Sequence, residues 1–276
     1  MTSVDIQFAD VSRGRLAYRD LGSPDAPPVV FLHGSGPGVT GWRNFSENVG
    51  AFTDDFRCLV LEFPGFGISD SRGGHPILDS RESYLDLLDH LGLESASIVG
   101  NSMGGIVGAG LAAHHPERVQ RLVGIGGVGT TLFSPGPAEG IRLLMDFLAE
   151  PSREALHRWL RSMVYDQSLV TEQLLEERWQ QVTEPGVIDG MKALYNPAAI
   201  EKVARGEVSF DLTDVHAPTL LFWGRDDRVS PVDMSIMPMR LIPDVEVHIL
   251  PNCGHWVMIE QKDAFERQTR EFLLRE

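Results

Sequence analysis

The stretch that decides the fold runs Ser97-Ile98-Val99-Gly100-Asn101-Ser102-Met103-Gly104-Gly105 and continues as Ile106-Val107-Gly108-Ala109-Gly110-Leu111-Ala112-Ala113-His114-His115. A short apolar run of strand type comes first, and a run of helix length follows. Between them lies Gly100-Asn101-Ser102-Met103-Gly104, a G-x-S-x-G pattern that says little when found in an arbitrary loop. On a strand-to-helix turn it says much more, because a serine there is lifted out of the sheet edge and exposed as a nucleophile. Gly100 and Gly104 carry no Cβ to clash where the backbone doubles back, and Gly105 lets the helix pack closely. The helix N-terminus adds partial positive charge beside Ser102.

Further strand-type runs extend the pattern in both directions: VVFLH from Val29, RCLVLE from Arg57, RLVGIG from Arg121, PTLLFWG from Pro218 and VEVHIL from Val245. Helical patterns separate them, so the sequence predicts an α/β fold with a mostly parallel sheet covered on both faces. Two alternating stretches, Val4 to Ala9 and Arg15 to Tyr18, predict an antiparallel hairpin at its edge and bring the sheet to eight strands. From Leu132 to Phe210 the rhythm changes. The segments EGIRLLMDFLAE, REALHRWLRSMV and TEQLLEERWQQV are helical, and the Pro/Gly cluster Ser134-Pro135-Gly136-Pro137 opens the block. We therefore expect a core of 1–132 and 211–276, with a helical lid of 133–210 inserted after the sixth strand, above the carboxyl ends of the strands where ligands bind.

A serine hydroxyl needs a base to act at neutral pH, and the base needs an orienting carboxylate. His255, in Asn252-Cys253-Gly254-His255-Trp256 beyond the last strand, is the candidate base. The other histidines read as helix-end, surface, packing or loop residues, His75 among the last. The candidate acids are Asp226 and Asp227 in the loop after PTLLFWG, with Glu62 at the end of an earlier strand as a third. An oxyanion hole would combine the Met103 N–H with one from His33-Gly34-Ser35-Gly36-Pro37-Gly38, a stretch so short of side chain that its amides can face a ligand.

With 276 residues and 42% hydrophobic content the chain can bury a sizeable core. A net charge of -15 sets it against nucleic acid and anionic membrane surfaces, and an anionic substrate would need a local cation. Two cysteines without metal-ligand spacing fit a reduced, cytoplasmic setting. Neither a signal peptide nor a membrane-spanning run is recognisable, and no metal site or nucleotide-binding loop is, so no cofactor is expected.

These motifs resemble the α/β-hydrolase fold family and, within it, the meta-cleavage product hydrolases, which split carbon-carbon bonds in ring-opened aromatic compounds. The resemblance is carried by LHGSGPGVTGWRNF (32–45), VGNSMGG (99–105), MVYDQSLVTEQLLEERW (163–179), WGRDDRVSP (223–231) and CGHWVMIE (253–260). It implies Ser102 as nucleophile, Asp227 rather than Asp226 as the acid, and His255 as base. Oxyanion donors would be the N–H groups of Met103 and of Ser35 or Gly36. Asn44, Asn101, Arg178 and Trp256 would position a small anionic dienoate, and a homo-oligomer is expected because relatives commonly form one. Arg178 has a plainer reading as a surface residue paired with Glu176 or Glu177. The chain departs from the family at the lid's return, GEVSFDLTDVHAP, where Phe210 is the only aromatic residue, and at Glu62-Phe63, so the substituent at C6 of the substrate stays open.

Overall fold

The structure is a computed structural model that describes residues 4–194, 202 and 208–275. Eight strands form one sheet in the order β1-β2-β4-β3-β5-β6-β7-β8. They are β1 Gln7–Val11, β2 Gly14–Leu21, β3 Pro28–Leu32, β4 Arg57–Leu61, β5 Ala96–Asn101, β6 Val119–Ile125, β7 Thr219–Gly224 and β8 Val245–Leu250. All pairings from β4 to β8 are parallel, while β1 pairs antiparallel with β2 and β2 with β4. The first strand lies later than Val4 to Ala9. The hairpin is pinned by a two-residue turn that places Val11 opposite Gly14, and that register, not hydrophobic alternation alone, sets where β1 ends.

Alternate residues of the central strands face two cores. Val29, Phe31, Val60, Val99, Ile125 and Phe222 belong to one, and Val30, Leu32, Leu61, Ile98 and Leu122 to the other. Both faces of a parallel strand are thus apolar, which is why these strands read as continuous hydrophobic runs. A short helix α1 (Gly41–Phe45) follows β3, and the second core is roofed by α2 (Pro76–Leu91) and α3 (Met103–His114). Helix α2 starts on proline, where a missing N–H costs nothing, and stops at Gly92 in the left-handed region. The first core is covered by the C-terminal helix Lys262–Leu273.

After β6 the chain leaves the sheet for α4 (Glu139–Ala149), α5 (Arg153–Met163), α6 (Glu172–Val182) and α7 (Val187–Leu194), and it returns to the sheet at β7. Ser152 and Thr171 cap α5 and α6 by accepting the N–H groups of Ala155 and Leu174. Leu144, Phe147, Leu156, Trp159 and Leu160 join the first core directly, so the helical insertion shares that core. The part of the expected lid at 195–201 and 203–207 lies outside the described residues.

Candidate active site

Ser102 follows the last residue of β5 and precedes the first of α3. Its backbone sits at φ 53° and ψ -112°, a region that costs a residue with a side chain of order 1–3 kcal/mol and persists only where the surroundings enforce it. Three features enforce it. The Ser102 N–H donates to the Ile125 carbonyl at 2.8 Å. A Cβ at Gly104 would collide with the Leu32 carbonyl, and one at Gly127 with the Ser102 carbonyl. Gly126-Gly127 after β6 thus backs the turn, a role its sequence did not reveal.

The loops after β7 and β8 meet beside this turn. His255 Nδ1 donates to Asp227 Oδ2 at 2.7 Å, and both side chains are almost wholly buried. Asp227 Oδ1 accepts the N–H groups of Val229 and Ser230 at 2.7 and 2.8 Å, which fixes the carboxylate and fully commits it. With Nδ1 carrying the proton toward Asp227, Nε2 is the nitrogen left to act as base. Asp226 instead pairs with Arg225 at 3.4 Å. Glu62 accepts the N–H groups of Gly41 and Trp42 at 2.8 and 3.4 Å, with burial raising its carboxyl above the usual range, and takes no part in the pair.

The loop after β3 is held by its own side chains. His33 Nδ1 donates to the Gly34 carbonyl at 2.6 Å while Nε2 accepts the Phe63 N–H at 3.0 Å. Burial pulls this ring down to about 4, so it is neutral and keeps that tautomer at pH 7. The Gly34 N–H donates to Asn44 Oδ1 at 3.2 Å. Gly36 must be glycine, because a Cβ there would enter the Trp159 indole. Met103 contributes the first N–H of α3, which has no carbonyl four residues back within the helix.

Ser102 stands between two lobes. The inner one, of about 40 Å³, brings Ser35, Gly36, Asn44, Asn101, Arg178, His255 and Trp256 together. The outer one, of about 450 Å³, shares Ser35 and Ser102 and is walled by Met103, Ile77, Ile106, Ile141 and Met234. Every site residue expected from sequence lies on one or other lobe, save Asp227, which stands behind His255. His75, expected to be a plain loop residue, caps α2 and also lines the outer lobe. Phe210 packs under the Arg81 guanidinium.

Arg178 is buried, and its acidic neighbours are taken by other arginines. Arg43 holds Glu177 at 2.6 Å and Arg153 holds Glu176 at 2.8 Å. Arg178 Nη1 donates to the Pro37 carbonyl at 3.3 Å, and the guanidinium lies 5.5 Å from the Trp256 ring centre. Burial, with Arg43 nearby, pulls Arg178 down to about 9. Among the described residues, Arg178 Nε, Asn44 Nδ2 and Trp159 Nε1 are buried without a hydrogen-bond partner, and all three residues line the inner lobe. Unpaired buried donors are rare and costly, so three on one small cavity describe a site shaped for an acceptor-rich anion. Trp159 is the functional candidate that sequence reasoning missed. In REALHRWLRSMV it looks like any aromatic on the apolar face of a helix.

Among the described residues no group of His, Cys, Asp and Glu is arranged to hold a metal ion, and no helix is long and apolar enough to cross a membrane. Residues 27–262 match the family model described as the alpha/beta hydrolase fold. A 2-hydroxy-6-oxo-6-phenylhexa-2,4-dienoate hydrolase from Burkholderia cepacia is 37% identical over 98% of this chain and 95% of its own. A 2-hydroxy-6-oxononadienedioate/2-hydroxy-6-oxononatrienedioate hydrolase from Comamonas testosteroni is likewise 37% identical, with the same 98% and 95% coverage. Among solved structures, a meta-cleavage product hydrolase from Pseudomonas fluorescens superposes with TM-score 0.87 at 29% identity, covering 98% of this chain and 97% of that one.

Proposed function

Since this chain belongs to the α/β-hydrolase fold family and, within it, to the meta-cleavage product hydrolases, we propose that it hydrolyses the C5–C6 bond of a 2-hydroxy-6-oxohexa-2,4-dienoate with Ser102, His255 and Asp227 as its triad. The observation that carries this reading is the set of partnerless donors on the inner lobe, Arg178 Nε, Asn44 Nδ2 and Trp159 Nε1. An ester needs only a nucleophile, a base and an oxyanion hole. A dienoate also needs a cationic seat for its C1 carboxylate and C2 oxygen.

The chemistry explains the seat. Breaking a carbon-carbon bond expels a carbanion, so the 2-hydroxydienoate must first move its hydroxyl proton to C5 and become the 2-oxo tautomer. Charge leaving C5 can then spread through C3 and C4 to the C2 oxygen. Arg178 stabilises that oxygen as charge gathers on it, which is differential binding of the transition state. Ser102 Oγ adds to the C6 carbonyl as His255 Nε2 takes its proton, and the oxyanion is held by the N–H groups of Met103 and of Ser35 or Gly36. The C5–C6 bond breaks, the charge passes from C5 to the C2 oxygen, that oxygen takes up the proton His255 carries, and 2-hydroxypenta-2,4-dienoate leaves. Water deprotonated by His255 then attacks the acyl-Ser102, releasing the C6 acid and restoring the serine.

The test compares kcat/KM on 2-hydroxy-6-oxo-6-phenylhexa-2,4-dienoate, followed by loss of its colour, with that on p-nitrophenyl esters. Higher efficiency on the dienoate is expected. Clearly better turnover of the esters would make the enzyme a carboxylesterase.

A further inference from the structure

The two relatives of equal identity act on substrates that differ at C6, one carrying a phenyl group and the other a chain ending in a second carboxylate. Resting on the carbon-carbon reading above, we infer that the outer lobe of this enzyme takes an uncharged aryl or alkyl C6 substituent and rejects one that ends in a carboxylate.

Three observations converge on this selection. First, the lobe's walls are mostly apolar side chains from separate elements, Ile77 of α2, Ile106 of α3, Ile141 of α4, with Val229 and Met234 from the segment after β7, interrupted by Thr130, Thr131, Ser230 and His75. Its volume of about 450 Å³ is in the range of roughly 300–1,000 Å³ that holds drug-sized apolar ligands, ample for a ring.

Second, among the described residues the wall offers no permanently charged cation. His75 Nδ1 accepts the Ile77 N–H at 3.3 Å as the cap of α2, so that nitrogen is turned to the helix and not to a ligand. Among the described residues, the lobe has no lysine or arginine on its walls, and Arg178 lies on the inner lobe, beyond Ser102.

Third, a fixed negative charge stands behind the outer wall. Asp233 precedes the lining residue Met234, and its carboxylate accepts the N–H groups of Leu132, Phe133 and Ser134 at 2.8, 2.7 and 3.0 Å, directly after the lining residues Thr130 and Thr131. Those bonds, with the Ser134 hydroxyl, hold it well below the usual carboxylate range, so it is anionic throughout the neutral region. A second substrate carboxylate would shed water into mostly apolar walls, meet no lysine or arginine among the described residues, and share a wall with the segment that the Asp233 carboxylate holds.

The experiment measures kcat/KM of the wild-type chain on three dienoates: the 6-phenyl compound, the nonadienedioate, and the nonadienedioate with its far carboxylate replaced by the neutral, similarly shaped carboxamide. The phenyl compound is expected to exceed the dioate by about 100-fold or more, and the carboxamide to recover most of that gap. A dioate within about 10-fold of the phenyl compound, or a carboxamide as poor as the dioate, would overturn the inference while leaving carbon-carbon cleavage intact. Failure on all three dienoates with good turnover of p-nitrophenyl esters would instead remove the reading beneath it.

Discussion

The backbone N–H of His255 donates to the carbonyl of Met163 at 2.8 Å, so the last turn of an insertion helix and the candidate base are joined by a single hydrogen bond. Glu260 reinforces that joint. One of its oxygens accepts the N–H groups of Tyr165 and Asp166, both at 2.8 Å, and the other accepts the Gly254 N–H at 2.6 Å. The chain on both sides of the joint is thereby tied to one carboxylate.

Glu260→Gln replaces one accepting oxygen with a donor that faces other donors. The expected result is a kcat on the dienoate lower by roughly 10- to 100-fold, the scale for a reacting group displaced by about 1 Å, with a smaller change in KM. Steady-state kinetics beside thermal unfolding decides the matter. A lower Tm with unaltered kcat would assign Glu260 to stability alone.

Arg178 separates function from stability in the opposite sense. Its cation is carried at a cost in the unliganded fold, and its value of about 9 lies well below that of a free guanidinium. The folded state therefore sheds this proton first, and stability contributed through Arg178 rises with pH from about 9 until the unfolded guanidinium also titrates. At pH 7 the penalty is present in full. Arg178→Met should leave Tm unchanged or raise it, since an apolar side chain of similar length often replaces a buried charge without loss. The same variant should lose about 100-fold or more in kcat/KM on the dienoate while p-nitrophenyl ester turnover stays within a few-fold. A variant that keeps wild-type kcat on dienoates would rule out the role of Arg178 at the C2 oxygen.

Much of this arrangement is legible before any coordinates. Ser102 and His255 declare themselves because the backbone there must do something unusual, and glycine is the residue that permits it. Strands β3 to β7 are visible because burial on two faces leaves little room for polar residues, whereas β8, half-buried at the sheet edge, shows only its alternating apolar positions. Asp227 was separable from Asp226 only by family likeness, since both are acids in one loop and a hydrogen bond to His255 depends on which way that loop turns. Trp159 was invisible for a related reason. Whether an apolar helix face meets the core or a cavity is decided by what packs opposite, and here that is Gly36, 123 positions earlier in the chain. The pairing of Arg43 with Glu177, which frees Arg178 from its neighbour, is equally non-local.

The Asp233 carboxylate is the acceptor on which the segment after β6 closes. Its folded-state value is depressed, so its contribution to stability is present above the ordinary aspartate value of about 3.9 and is lost as pH falls through the depressed folded value. Asp233→Asn should lower stability at pH 7 by about 1–2 kcal/mol, and the difference from wild type should shrink once the pH drops below about 4. Thermal unfolding of both proteins across pH 3 to 8 measures this. An equal gap at every pH would show that the charge is not the source of the effect.

Asp227→Asn asks whether the buried pair works as an orienting device. In the wild type, Asp227 Oδ2 receives the His255 Nδ1 proton while Oδ1 is pinned by the Val229 and Ser230 N–H groups, so the ring has one tautomer available. An amide keeps the size and can keep the Val229 and Ser230 bonds through its oxygen. It then presents an NH2 group to Nδ1 and drives the ring proton to Nε2, where the base must be empty. The expected loss is about 10⁴-fold in kcat, on dienoate and ester alike, because both reactions need Ser102 deprotonated. That joint loss contrasts with the selective loss predicted for Arg178→Met, and the two variants assayed on the two substrate classes form the check. An Asp227→Asn enzyme that kept ester turnover within 10-fold of wild type would show that His255 is oriented by something other than this carboxylate.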